Sequence, residues 1–132
     1  MKPIVQEWVD EAENNFDVAE LLIKQSKPKY NIICFHAQQC AEMYLKACLQ
    51  AADIFFPKTH ELSKLLDLLV VVAPAWEKTR LSLESLTSYA VEYRYPGSSA
   101  SQSLTIEALE DCRRVRTVAR QHLELEKIEK SS

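Results

Sequence analysis

The chain has 132 residues, 47% of them apolar and 27% charged, with a net charge of −3. That is enough for one domain burying roughly two-thirds of its unfolded surface, with no metal or disulfide required, and too apolar for disorder. The acidic balance gives no general attraction to nucleic acid or an anionic membrane, so any nucleotide or RNA site has to be a local patch.

Five prolines, at 3, 28, 57, 74 and 96, punctuate the chain, and there is a single glycine, Gly97. Proline breaks helix interiors, so the proline-free intervals are helix candidates, and each carries apolar residues at a 3.6-residue period. The first presents Val5, Trp8, Val9, Ala12, Phe16, Ala19, Leu22 and Ile23. The second, residues 30 to 53, is apolar on most sides through Ile33, Phe35, Ala37, Cys40, Ala41, Tyr44, Leu45 and Cys48. So wide an apolar surface predicts a central helix. Thr59 is a natural N-cap for a third helix bearing Leu62, Leu65, Leu66, Leu69 and Val70, which makes His60 a first-turn residue. A fourth helix is predicted from about Trp76 to Arg94, with Leu83, Leu86, Ala90 and Tyr93 in line. The fifth follows a Ser-rich loop and aligns Ala108, Cys112, Val115, Val118, Ala119, His122 and Leu125, so His122 is expected in a core or interface. Residues from Lys127 onward are expected to fray. Short connections make neighbours antiparallel, and the fold class expected is all-α, an up-and-down bundle of about five helices in one domain over residues 1–132.

The cysteines, at 34, 40, 48 and 112, form no C-x-x-C pair and match neither a zinc site nor a secreted disulfide framework. His36 and Cys40 are four apart on one helix face, but no third ligand stands at a useful spacing, so no metal and no cofactor is expected. One glycine cannot build a Gly-rich phosphate loop. The longest apolar run, Leu65 to Ala73, is interrupted by Asp67 and is too short to span a bilayer. With no signal-peptide pattern after Met1, a cytoplasmic location is expected.

Two places invite function. On the second helix, His36, Gln38, Gln39, Glu42 and Lys46 form a polar stripe at steps of three and four. On a helix otherwise buried all round, such a stripe should face a groove or a subunit partner. At the end of the fourth helix, Arg94 stands between Tyr93 and Tyr95, ahead of Pro96 and Gly97. An arginine there is favoured by the helix dipole, and aromatic neighbours suit it to hold an anion.

Three segments in this order, "CFHAQQCAEMYLKACL", "PKTHEL" and "YRYPG", resemble the HEPN domain, a small all-α module, over essentially the whole chain. The resemblance implies a homodimer with a groove between protomers near the end of helix four, and it implies that Phe35, Gln39, Glu42 and Lys46 border that groove. Many members are metal-independent ribonucleases acting as toxins beside a small nucleotidyltransferase. Their signature is an arginine followed, after four to six residues, by a histidine. Arg94 matches the arginine, but Ser99, Ala100 and Ser101 occupy the histidine positions. General acid–base catalysis contributes about 10²–10⁴-fold, so its loss leaves a binding module as the expected function. The ligand or partner would be a nucleotide, RNA or the nucleotidyltransferase. The alternatives are an endoribonuclease with another histidine, such as His36 or His122, and a purely structural dimerisation module.

Overall fold

The computed structural model describes residues 1–92, 97 and 99–125, and Tyr93, Arg94 and Tyr95 lie outside the described residues, as do the C-terminal residues from 126. Its elements are α1 (Pro3–Ile23), α2 (Tyr30–Ala51), α3 (Leu62–Leu69), a 3-10 helix (Pro74–Thr79), α4 (Arg80–Glu92) and α5 (Gln102–His122). Among the described residues there is no strand, and the all-α bundle is the fold.

Helix α2 is the axis. Ile33, Cys34, Ala37, Cys40, Ala41, Tyr44, Leu45, Cys48 and Leu49 are all buried on it. Each fully buried leucine or isoleucine contributes about 1.5–3 kcal/mol relative to exposure. Helix α1 lies antiparallel along α2: Asn15 meets His36, Glu13 meets Tyr44, and Lys2 reaches the carbonyl of Gln50. Helix α5 runs parallel to α2, since Thr105 meets Cys34 and Arg120 meets Tyr44. Helix α4 returns against both, with Tyr89 hydrogen-bonded to Glu107 of α5. The short α3 buries Leu62, Leu65, Leu66 and Leu69 under this assembly.

Several boundaries and exposures differ from the sequence reading. Trp76 begins no α-helix: Pro74 at the start of a tight 3-10 turn seats its indole in the core, and α4 starts only at Arg80. Thr59 caps a turn rather than the helix, accepting a hydrogen bond from the Glu61 amide, while Glu61 is the N-cap of α3. His60 therefore stands in the loop before α3. His122 is exposed at the end of α5, although its Nδ1 accepts the Trp76 indole N–H at 3.4 Å. Phe35 is 46% exposed, because α1, α4 and α5 cover the other sides of α2 and leave this edge open. Ser101 caps α5, its hydroxyl accepting the Leu104 amide, which accounts for the serine ahead of that helix.

Candidate functional site

The polar stripe of α2 divides in two. Gln38, Glu42 and Lys46, at successive four-residue steps, point inward and are buried, and Glu42 is only 1% exposed. A carboxylate so placed needs partners, and Glu42 has three. Gln38 Nε2 donates at 3.1 Å and Lys46 Nζ at 3.0 Å, while Nδ1 of His60 lies 3.0 Å away. Burial pushes the Glu42 carboxyl upward, but the hydrogen bonds from His60, Lys46 and Gln38 outweigh it and hold the group below its ordinary value. The ammonium of Lys46 is boxed further by Trp8 and Phe56, with ring centroids at 5.6 and 6.0 Å.

His60 is the outer member of this network. Its side chain is 72% exposed while its Nδ1 faces the buried carboxylate. The Gln38 amide also donates to the His60 carbonyl at 3.5 Å, which fixes the loop against α2. With Nδ1 donating to Glu42, Nε2 is left as an outward-facing acceptor. Sequence reasoning missed this residue as a site. The signal was present, since His60 sits within one of the segments that resemble the HEPN domain, but helix-cap logic assigned it a bland place.

His36 and Gln39 belong to the other half of the stripe. His36 Nδ1 lies 2.8 Å from the Asn15 side-chain oxygen, and its ring meets Phe35 edge-on at 5.3 Å. Burial lowers its pKa. Gln39 donates to the side-chain oxygen of Gln38 at 2.7 Å. Together with exposed Ile32 and Phe35, these residues form the open edge of α2.

At the N-terminal end of that edge, α2 meets the residues that flank the Arg94 segment. The Ala100 amide donates to Asn31 Oδ1 at 2.7 Å. A hollow of about 390 Å³ opens there, lined by Lys29, Tyr30, Asn31, Ile32, Ser99 and Ala100. Gly97 adopts φ of +93°, a left-handed backbone for which glycine is suited. The N-terminus of a long helix carries the positive end of the helix dipole and favours negative charge, and Lys29 adds a cation beside it. From Asn31 to Gln38, the residue that contacts His60, is about 10 Å along α2.

A second polar cluster ties the bundle together. Glu13 of α1 accepts both Nε and Nη2 of Arg116 at 2.8 Å and also bonds the Tyr44 hydroxyl. Arg120, itself buried, donates to that hydroxyl at 3.1 Å. Burial raises the Tyr44 pKa, and the bond to Glu13 adds to it. Every group here is turned on another of the same chain, which suits a structural clamp across α1, α2 and α5. Among the described residues no cluster of three potential ligands could hold a metal ion, and no helix is long and apolar enough to cross a membrane.

Comparison with known proteins follows the same lines. The family model of the HEPN domain matches residues 5–122. Two crystal structures share the fold. TT1696 from Thermus thermophilus superposes with a TM-score of 0.78 at 22% identity, covering 89% of this chain and 96% of that one. ST0689, described as an archaeal HEPN homologue, gives 0.73 at 24% identity, covering 92% and 98%. No curated protein sequence matches the chain.

Proposed function

The chain belongs to the HEPN domain family, and we propose that within it the protein is a homodimeric binding module for a phosphate-bearing anion, a nucleotide or RNA. A partner protein such as a small nucleotidyltransferase is the other candidate occupant. The observation that carries this reading is the open edge of α2: Ile32 and Phe35 exposed on the central helix, next to the hollow at its N-terminus. A second copy covering Ile32 and Phe35 would leave Lys29, His60 and the Arg94 segment around an inter-subunit groove. Arg94 is the anion-holding residue in this proposal, flanked by Tyr93 and Tyr95; Gln39 and His36 border the groove. Glu42 and Lys46 act from beneath, by holding His60.

The test is a titration of the protein with ATP and with a short single-stranded RNA. Arginine holds phosphate through paired, charge-assisted hydrogen bonds, each contributing about 1.5–3 kcal/mol. Arg94→Ala is expected to weaken binding about tenfold to a hundredfold with the fold intact, and Arg94→Lys to restore part of it. Unchanged binding in Arg94→Ala would overturn the assignment.

One observation favours a second reading, a ribonuclease with a non-standard histidine. His60, steadied at Nδ1 by a buried carboxylate and open at Nε2, has the arrangement that orients an imidazole as a general base. RNA cleavage that is abolished by His60→Ala and retained by His36→Ala and His122→Ala would establish it. Among the described residues, the His36 ring meets the Asn15 side chain and the His122 ring meets the Trp76 indole.

A further inference from the structure

The 3-10 helix and α5 border a cleft of about 430 Å³. Its walls are Lys78, Thr79, Arg113, Arg114, Thr117 and Val118. In a chain with 19 acidic and 16 basic residues, three cations stand among the described residues that line this one cleft, and the carboxylates nearest them, Glu20, Glu110 and Asp111, pair with the arginines. Arg113 and Arg114 lie 12 and 13 positions beyond Ser101 on α5, about 18–20 Å along the helix from its N-cap. The cleft is therefore separate from the hollow beside Asn31.

The three cations are not equally engaged. Arg113 directs Nε and Nη2 to one oxygen of Glu20, and Arg114 directs Nη1 to Asp111 at 2.7 Å with its Nη2 3.9 Å from Glu110. Both arginine side chains are substantially exposed, so an anion arriving from solvent can reach their guanidinium groups, while their partners Glu20 and Asp111 are more sheltered. Lys78 forms no ion pair or side-chain hydrogen bond among the described residues. The lining between the charges is mostly apolar, with Val118 and Thr117 beside the arginines, whose stems can cover apolar area while their heads reach water. A guanidinium fork matches phosphate geometry and also stacks on flat rings. The volume falls in the range of small-molecule sites, about 300–1,000 Å³.

We propose that the cleft between the 3-10 helix and α5 binds a small organic phosphate, its phosphoryl group held by Lys78 and Arg114 and its apolar or aromatic body resting on Val118 and the Arg113 stem. The three cations draw the phosphoryl group to this cleft, and the apolar floor distinguishes an organic phosphate from the bare anion.

Phenyl phosphate is the minimal probe, read by backbone amide shifts in NMR. Saturable shifts at Thr79, Thr117 and Val118 are expected, with at least tenfold weaker binding for inorganic phosphate and for benzyl alcohol. Lys78→Gln combined with Arg114→Gln should weaken phenyl phosphate at least tenfold. Both side chains are exposed at the surface, so the variant is expected to fold as the wild type does, and unchanged amide spectra away from the cleft would show it. Arg94→Ala should leave these shifts unaltered, which separates failure here from failure at the α2 groove. Absence of saturable shifts at the three amides, equal binding by the double variant, or equal binding of inorganic phosphate would overturn the proposal.

Discussion

Nδ1 of His60, on a largely exposed side chain, lies 3.0 Å from a carboxylate oxygen of Glu42, which is almost fully buried. The same carboxylate neutralises Lys46 from the other side. Removing its charge strands a buried ammonium. Glu42→Gln should therefore destabilise the fold by about 3–5 kcal/mol, read from the shift in urea midpoint. His60→Ala removes only the outer partner and should cost about 1–2 kcal/mol. A Glu42→Gln effect no larger than that of His60→Ala would show that the Lys46 pairing is not what fixes this part of α2.

Stability should also depend on acid in a specific window. Glu42 and Glu13 both have folded-state pKa values below the ordinary 4.5. The stability they contribute is fully present above pH 4.5 and is lost as the pH falls through their lower folded values. Wild-type protein should lose stability progressively below pH 4.5, and Glu42→Gln should show a shallower slope there. His36 acts in a separate range: burial lowers its pKa from 6.5, so folding favours the neutral ring and some stability is lost as the pH drops below 6.5. An NMR titration of the histidine ring protons should place the His36 midpoint below 6.5.

The open edge of α2 makes the dimer testable without touching the core. Phe35→Asp places a charge where the proposed partner copy sits, and nearly half of the wild-type side chain already faces water. Light scattering should give twice the chain mass for the wild type at micromolar concentration and the single chain mass for Phe35→Asp, with unchanged circular dichroism. A wild-type monomer would remove the inter-subunit groove from the functional proposal. Leu45→Ala on the buried side of the same helix should instead cost about 2–5 kcal/mol.

The fold is legible in the sequence because its signal is long and redundant: α2 repeats its apolar spacing over six turns, and one exposed aromatic does not erase the pattern. What is not legible is direction. Helical spacing puts Glu42 and His36 on neighbouring faces, but only the packing of α1 and α3 decides that Glu42 turns inward and His36 meets Asn15. His60 escapes for a related reason. Thr59 reads locally as a cap, and the competing contact, 18 residues back in the chain, is invisible to any local rule. Phe35 reads as core because periodicity marks a residue as apolar without saying which face lacks a neighbour. Arg94 stands out by its neighbours in the chain and lies outside the described residues, so its place in the site rests on the family and on the proposed experiments.

The four thiols give the bundle an internal clock. Cys34, Cys40, Cys48 and Cys112 are all buried and free. Burial raises the pKa of Cys34 and Cys40 and pushes that of Cys48 up to about 12. Only the thiolate attacks an alkylating reagent, so in the closed protein Cys34, Cys40 and Cys48 are silent at neutral pH, and burial shields Cys112 from the reagent. Three of them lie at successive stations along α2, and the fourth meets Cys40 from α5. The order in which they react would therefore report how the helices part, end first or all together.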